Sequence, residues 1–253
     1  MFYNFTNFFE RRMNKLAAIT LMLFLTSVSF AQNTKYFDSP FALGGGYTPA
    51  WYIPEMDILN AELKNFGVGD LSTGGFYASG GAGFIYLPFI ASQVRFGGMG
   101  FGGSTSESNT VNGISRELVY NLSGGGITIE YTLPFVRDLG ISIGAIIGAG
   151  NLEIEINKNS GSFNWDVAVG ELNTSSPDVS RRFSNSYWII SPTINIDLPV
   201  YRFVAFRLGA GYQFTFGCEW EAENGKALSG VPSGIDGKSF FIQSGIFVGF
   251  FSF

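Results

Sequence analysis

Val204-Ala205-Phe206-Arg207-Leu208-Gly209-Ala210-Gly211-Tyr212-Gln213-Phe214-Thr215-Phe216-Gly217 is the stretch that decides the fold. Its period is two. Val204, Phe206, Leu208, Ala210, Tyr212, Phe214 and Phe216 form one face, and Ala205, Arg207, Gly209, Gly211, Gln213, Thr215 and Gly217 the other. Successive side chains of a strand point to opposite sides, so one face suits lipid and the other a narrow, partly polar lumen. Tyr187 to Leu198 repeats the pattern, with Trp188, Ile190, Ile194, Ile196 and Leu198 against Ser191, Thr193, Asn195 and Asp197.

Six more segments carry the strand period: Phe41 to Tyr52, Phe76 to Leu87, Ala91 to Ser104, Ile114 to Leu133, Leu139 to Ile156 and Phe240 to Phe253, with Phe203 to Trp220 as the full extent of the seventh strand. At Gly124-Gly125-Gly126 and at Gly150-Asn151 the apolar parity switches, and bulges are expected there to restore it. The last segment is apolar on both parities, which leaves its facing open. Three connections are short and built alike, at Leu87-Pro88-Phe89, Leu133-Pro134-Phe135-Val136-Arg137 and Leu198-Pro199-Val200-Tyr201-Arg202. Four are long: Ile53 to Gly75, Thr105 to Gly113, Asn157 to Ser186 and Glu221 to Ser239. Strict alternation of short and long connections predicts an all-β fold, an eight-stranded antiparallel up-and-down transmembrane barrel with tight periplasmic turns and long outer loops.

Composition agrees. The 253 residues are 46% hydrophobic, 17% aromatic and only 14% charged, with 34 Gly, against an ordinary charged share of about 25%. There is no His and one Cys, Cys218, which removes intrachain disulfides, His/Cys zinc sites and His-based catalytic triads. No cofactor, metal or catalytic residue is expected. A formal charge of −5 argues against nucleic acid as a partner.

Residues 1 to 31 read as a signal peptide. Arg11, Arg12 and Lys15 precede an apolar run from Leu16 to Phe30, and Ser29-Phe30-Ala31 supplies the small residues of a cleavage site. Met13 is the better start, since Met13-Asn14-Lys15 opens directly on the basic region. Cleavage leaves 32–253 as a single barrel domain of net charge near −7. A soluble secreted β protein is the remaining alternative for an exported chain of this kind.

These features resemble the small outer-membrane barrels of the OmpA, OmpX and OmpW type. The chain ends Phe250-Phe251-Ser252-Phe253. In that group a C-terminal aromatic residue is part of the signal read by the barrel-assembly machinery, a role the resemblance gives to Phe253, with Phe251 at the alternate position. It also implies outer-membrane lipid as surroundings. The periplasmic peptidoglycan-binding domain of full OmpA-like proteins has no counterpart here.

Three candidate sites follow. Arg95, Glu130, Asp197 and Arg207 are inward charges at similar depth near the periplasmic turns, either a static network filling the interior or a salt-bridge gate. Gly44, Gly46, Gly81, Gly83, Gly140, Gly144, Gly148, Gly209 and Gly211 are expected inward, leaving space for solute or for rings from the last strand. Within Pro54 to Gly67, Met56, Leu59, Leu63 and Phe66 recur at helical spacing and predict a helix that acts as lid or plug, or packs on the rim. Trp51, Tyr52, Tyr86, Tyr131, Tyr187, Trp188, Tyr201 and Trp220 are expected in interfacial girdles. Phe163 and Trp165 in the longest loop suit a partner contact or a small loop core. Gly98-Met99-Gly100-Phe101-Gly102-Gly103 matches a dinucleotide pattern without the strand–helix context it needs. A structural or surface-interaction role in the envelope is the leading expectation, and a narrow or gated channel for small, mainly hydrophobic solutes the alternative.

Overall fold

The computed structural model describes residues 43–86, 93–133, 140–160, 178–201 and 203–250. The signal peptide, the turns at Pro88 and Pro134, Phe163, Trp165, Phe251 and Phe253 lie outside the described residues.

Ten strands are present: β1 (Leu43–Tyr47), β2 (Ala50–Pro54), β3 (Phe76–Tyr86), β4 (Val94–Val111), β5 (Ile114–Thr132), β6 (Gly140–Asn159), β7 (Val179–Tyr201), β8 (Val204–Ala222), β9 (Lys226–Ala227) and β10 (Ser239–Phe250). One helix, α1 (Asp57–Leu63), follows β2. β1 and β2 are one barrel strand interrupted at Thr48-Pro49, where proline has no N–H to give. Both halves keep the same register against β10 and against β3. Thr48 N–H donates to Gly80 O at 2.9 Å and Ser244 N–H to Pro49 O at 2.9 Å, which holds the interrupted strand in the wall. β3 to β8 follow in chain order, and β10 closes the ring between β8 and β1/β2. β9 is a two-residue addition to the outer end of β8. The barrel therefore has eight antiparallel strands and no open edge at membrane depth, as a hydrocarbon surrounding demands.

Its outer face is apolar. Trp188, Ile190, Ile194, Ile196 and Leu198 on β7, Phe206, Leu208, Phe214 and Phe216 on β8, and Ile242, Ile246 and Val248 on β10 are all exposed. From Phe206 to Phe216 the belt runs about 33 Å along the strand, or about 25 Å along the membrane normal at a tilt near 40°. That height matches a hydrocarbon layer.

Several expectations are corrected. Thr105 to Gly113 is no long loop: β4 and β5 pair without interruption up to Val111↔Ile114. The turn is the two-residue Asn112-Gly113, with φ of 53° and 77°. Asn-Gly is the preferred pair where both turn residues need positive φ. Similarly, β6 runs on to Asn159 and β7 starts at Val179, so much of the expected long loop is wall. No bulge interrupts β5 at Gly124 to Gly126 or its pairing with β6 at Gly150. Register shifts fall instead between Ser186 and Trp188 and between Pro199 and Tyr201. The latter keeps Pro199 inside β7. The last strand points Phe241, Gln243 and Phe247 inward.

The parity switch has another cause. On β5, Leu118, Tyr120, Leu122, Thr128 and Glu130 share the inward face over the whole length. On β6, Ser142, Ile146, Leu152 and Ile154 do the same. What changes is the outside: Ile127, Ile129 and Tyr131 low on β5 give way to Asn121 and Ser123, and Ile143 and Ile147 on β6 give way to Asn151, Glu153 and Glu155. Facing is constant while the surrounding medium passes from lipid to water.

Candidate functional site: a charge ring and an apolar lid in one lumen

The periplasmic half of the lumen holds the four charges together. Arg95 on β4 lies directly opposite Glu130 on β5, and Asp197 on β7 opposite Arg207 on β8. The two pairs then meet across the barrel. Arg95 Nε donates to Glu130 Oε2, and Arg95 Nη1 to Asp197 Oδ2 at 2.5 Å. Arg207 Nε donates to Asp197 Oδ1 at 2.7 Å and its Nη1 to Glu130 Oε1 at 3.1 Å. Ser142 on β6 accepts from Arg95 Nη2 at 2.8 Å and donates to Glu130 Oε2 at 3.3 Å. Each guanidinium thus engages both carboxylates, and the cluster is neutral as a whole. All four side chains are buried, so only mutual pairing offsets the cost of taking them from water. Phe84 lies 4.9 Å from Arg95 Cζ, and Phe247 lies 4.8 Å from Arg207 Cζ, adding cation–π attraction on the ring's apolar side.

Above the ring is a cavity of about 10 Å³, lined among others by Thr48, Thr128, Glu130, Thr193, Arg207 and Gln243. That is room for about one water. The expected glycine-lined space is otherwise taken. Gly81 and Gly83 are on the outward parity of β3, and the inward glycines are overlaid by neighbouring strands. At Gly209 a Cβ would stand 2.0 Å from Asn195 Oδ1, because Gln243 reaches across that position to donate to Asn195 at 2.7 Å. Gly211 lies under the ring of Phe241, Gly150 under Tyr187 and Gly124 under Phe101.

The extracellular half is filled by an apolar core. Tyr52, Phe76, Phe101, Leu118, Tyr120, Leu122, Leu152, Ile154, Tyr187, Ile189 and Phe241 form one packed cluster with Met56, Leu59 and Leu71. Those last three belong to the first loop. α1 therefore turns its apolar stripe down into the mouth, with Met56 1% and Leu59 5% exposed. Leu63 packs half-buried against the cluster and Phe66 is half-buried outside it. A 3-10 turn, Lys64–Phe66, extends the helix and ends on Gly67 at φ 79°, a left-handed cap that glycine takes without strain. Pro54 ends β2 rather than opening the helix. Asn60 holds the returning chain: its Nδ2 donates to Leu71 O at 3.0 Å and its Oδ1 accepts from Leu71 N–H at 2.9 Å. Sequence reasoning missed Asn60 and Leu71, since Leu71 lies outside any periodic run.

The girdle is only part of what was expected. Trp51, Tyr131 and Trp188 are exposed on the outer face. Tyr52, Tyr86 and Tyr187 are instead buried in the lumen, and Trp220 packs half-buried against the upper core. Tyr47 and Tyr77 are exposed as well and share a hydrogen bond between their hydroxyls. Burial pushes the Tyr120 hydroxyl above the ordinary phenol range, so it remains protonated.

Fold and surface together define a small transmembrane β-barrel with a filled lumen, the fold of the OmpA, OmpX and OmpW type of outer-membrane protein. No protein-family model matches the sequence, and no curated protein sequence does. Solved structures that align with it include a major outer membrane protein from Thermus thermophilus, at 8% identity and TM-score 0.46, over 83% of this chain and 99% of that one. Neisserial surface protein A aligns at 10% identity and TM-score 0.39, over 85% and 98%. Ail, the attachment invasion locus protein of Yersinia pestis, in complex with the heparin analogue sucrose octasulfate, aligns at 8% identity and TM-score 0.38, over 82% and 97%.

Proposed function

We infer that the chain is exported, inserted into outer-membrane lipid by the barrel-assembly machinery, and serves the envelope as a structural or surface-interaction protein without catalysis. The observation that carries this reading is the double closure of the lumen, by a neutral ring of four buried charges below and an apolar lid above. A barrel closed twice is a rigid support for what it displays outside. The displayed parts are the wall of β4 to β7 that continues above the apolar belt and the lid itself. Outer-membrane fractionation followed by planar-bilayer recording tests it: the wild-type protein is expected in the outer membrane, with no conductance steps.

A second reading, a narrow or gated channel for small apolar solutes, draws on the polar cavity between the two closures. It requires conductance or solute flux that rises in Arg95→Ala or Arg207→Ala. Silent traces in wild type and both variants would remove it, and recovery of the protein in the soluble fraction would remove both readings.

A further inference from the structure

Beneath the lid the lumen has two unlike walls. One is aromatic: Tyr52 stacks with Phe101 at 4.7 Å and with Phe241 at 5.1 Å between ring centroids, and Phe76 stands edge-on to Tyr120 at 5.9 Å. The other is polar and deeply buried, with Asn185 0%, Gln213 1%, Tyr120 2% and Tyr187 3% exposed. Neither amide atom of Asn185 has a hydrogen-bond partner, nor do Gln213 Oε1 and the hydroxyls of Tyr120 and Tyr187. Everything the lid contributes to this space is apolar: Met56, Leu59 and Leu71. It complements the aromatic wall and leaves the polar groups unmet, and buried polar groups without partners are costly.

We propose that the space under the lid is a binding site for an uncharged, flat, mainly apolar ring molecule with a hydroxyl or amide at one edge, which displaces the lid. A molecule about the size of the three lid side chains together would renew their apolar contacts and bring the donor or acceptor they lack. Asn185 both donates and accepts, Gln213 Oε1 accepts, and the Tyr120 hydroxyl donates. The named lining side chains carry no formal charge, which excludes ions as the favoured ligands. Displacement is local. The lid hangs between Gly67 and Gly75, at φ 79° and 88°, and is tied to the wall through Trp51 Nε1 to Gly74 O at 2.7 Å and Asn109 Nδ2 to Gly67 O at 3.2 Å.

The test compares 2-naphthol with naphthalene, the same ring system with and without a hydroxyl. Equilibrium dialysis uses the full chain in nanodiscs, with empty nanodiscs as the blank, and hydrogen exchange follows the amides of residues 59–71. Wild type is expected to bind 2-naphthol about tenfold tighter than naphthalene, with faster lid exchange in the complex. Asn185→Leu is expected to shrink that preference to about twofold while the heat-shifted gel band shows the barrel intact, and Tyr120→Phe serves the same purpose should Asn185→Leu fail to fold. Equal binding of the two probes to wild type would overturn the proposal. So would no binding above empty nanodiscs in both wild type and Trp51→Phe, whose lid has lost an anchor. The conductance result bears on the envelope role alone, so the two readings stand or fall separately.

Discussion

Two halves of the same strands obey opposite rules. Below the level of Trp188, the barrel presents Ile127, Ile143, Ile194 and Phe206 outward and encloses Glu130, Ser142, Thr193, Asn195, Asp197 and Arg207. Above it, the same strands present Asn121, Asn151, Glu153 and Ser186 outward and enclose Leu118, Leu122, Leu152 and Ile154. The lower half is organised by lipid outside and pairing inside. The upper half is a water-soluble barrel with an ordinary apolar core, set on a membrane-embedded one. The hydrophobic effect contributes to holding the upper half together. In the lower half the outer residues already face hydrocarbon, so packing and polar pairing carry more of the load.

The comparison can be broken most severely where strands touch. At Gly148 a Cβ would lie 2.0 Å from Gly125 O and 2.5 Å from the Gly126 Cα, so Gly148→Val is expected to prevent closure altogether, seen as loss of the heat-shifted band. Next comes Glu130→Ala, which leaves two buried guanidiniums sharing one carboxylate. A loss of about 3–5 kcal/mol is expected, read from urea unfolding in liposomes, and the upper core should be untouched by it. Ile154→Ala in the upper half is expected to cost about 2–4 kcal/mol. By contrast Thr215→Val, which removes a buried hydroxyl without a partner from the lower half, should change stability by less than about 1 kcal/mol or raise it. Equal losses for these two would erase the distinction between the halves. The smallest effect belongs to Asn112→Ala at φ 53°, with about 1 kcal/mol of local strain and faster exchange confined to the hairpin tip.

The lower half was largely legible. Its faces on β7 and β8 alternate without error, and inward Arg or Asp residues at matched depth had to find one another. α1 was legible from its spacing, although spacing alone left open whether it packed on the rim or in the mouth. The upper half was misread because alternation was taken as a property of the strand alone. A parity switch has two physical causes, a bulge or a change of medium, and the unbroken register at Gly124 to Gly126 selects the second. The Asn112-Gly113 hairpin was readable from its turn chemistry, but the polar residues around it looked like a loop because both strand faces there are wet. Tyr52, Tyr86 and Tyr187 misled for a related reason: a tyrosine near a strand end suits an interface, and parity decides otherwise.

The inward glycines carry information beyond packing. Tyr187 from β7 covers Gly150 of β6, Phe101 from β4 covers Gly124 of β5, and Phe241 from β10 covers Gly211 of β8. Each gap accepts a ring only from the adjacent strand and only in one alignment, since a slip of one residue turns the ring to the opposite face of the sheet. Glycine and ring therefore act as keyed joints, spelling out during assembly which strand sits beside which and how far it has slid. Proofreading of the closed barrel is built into its wall.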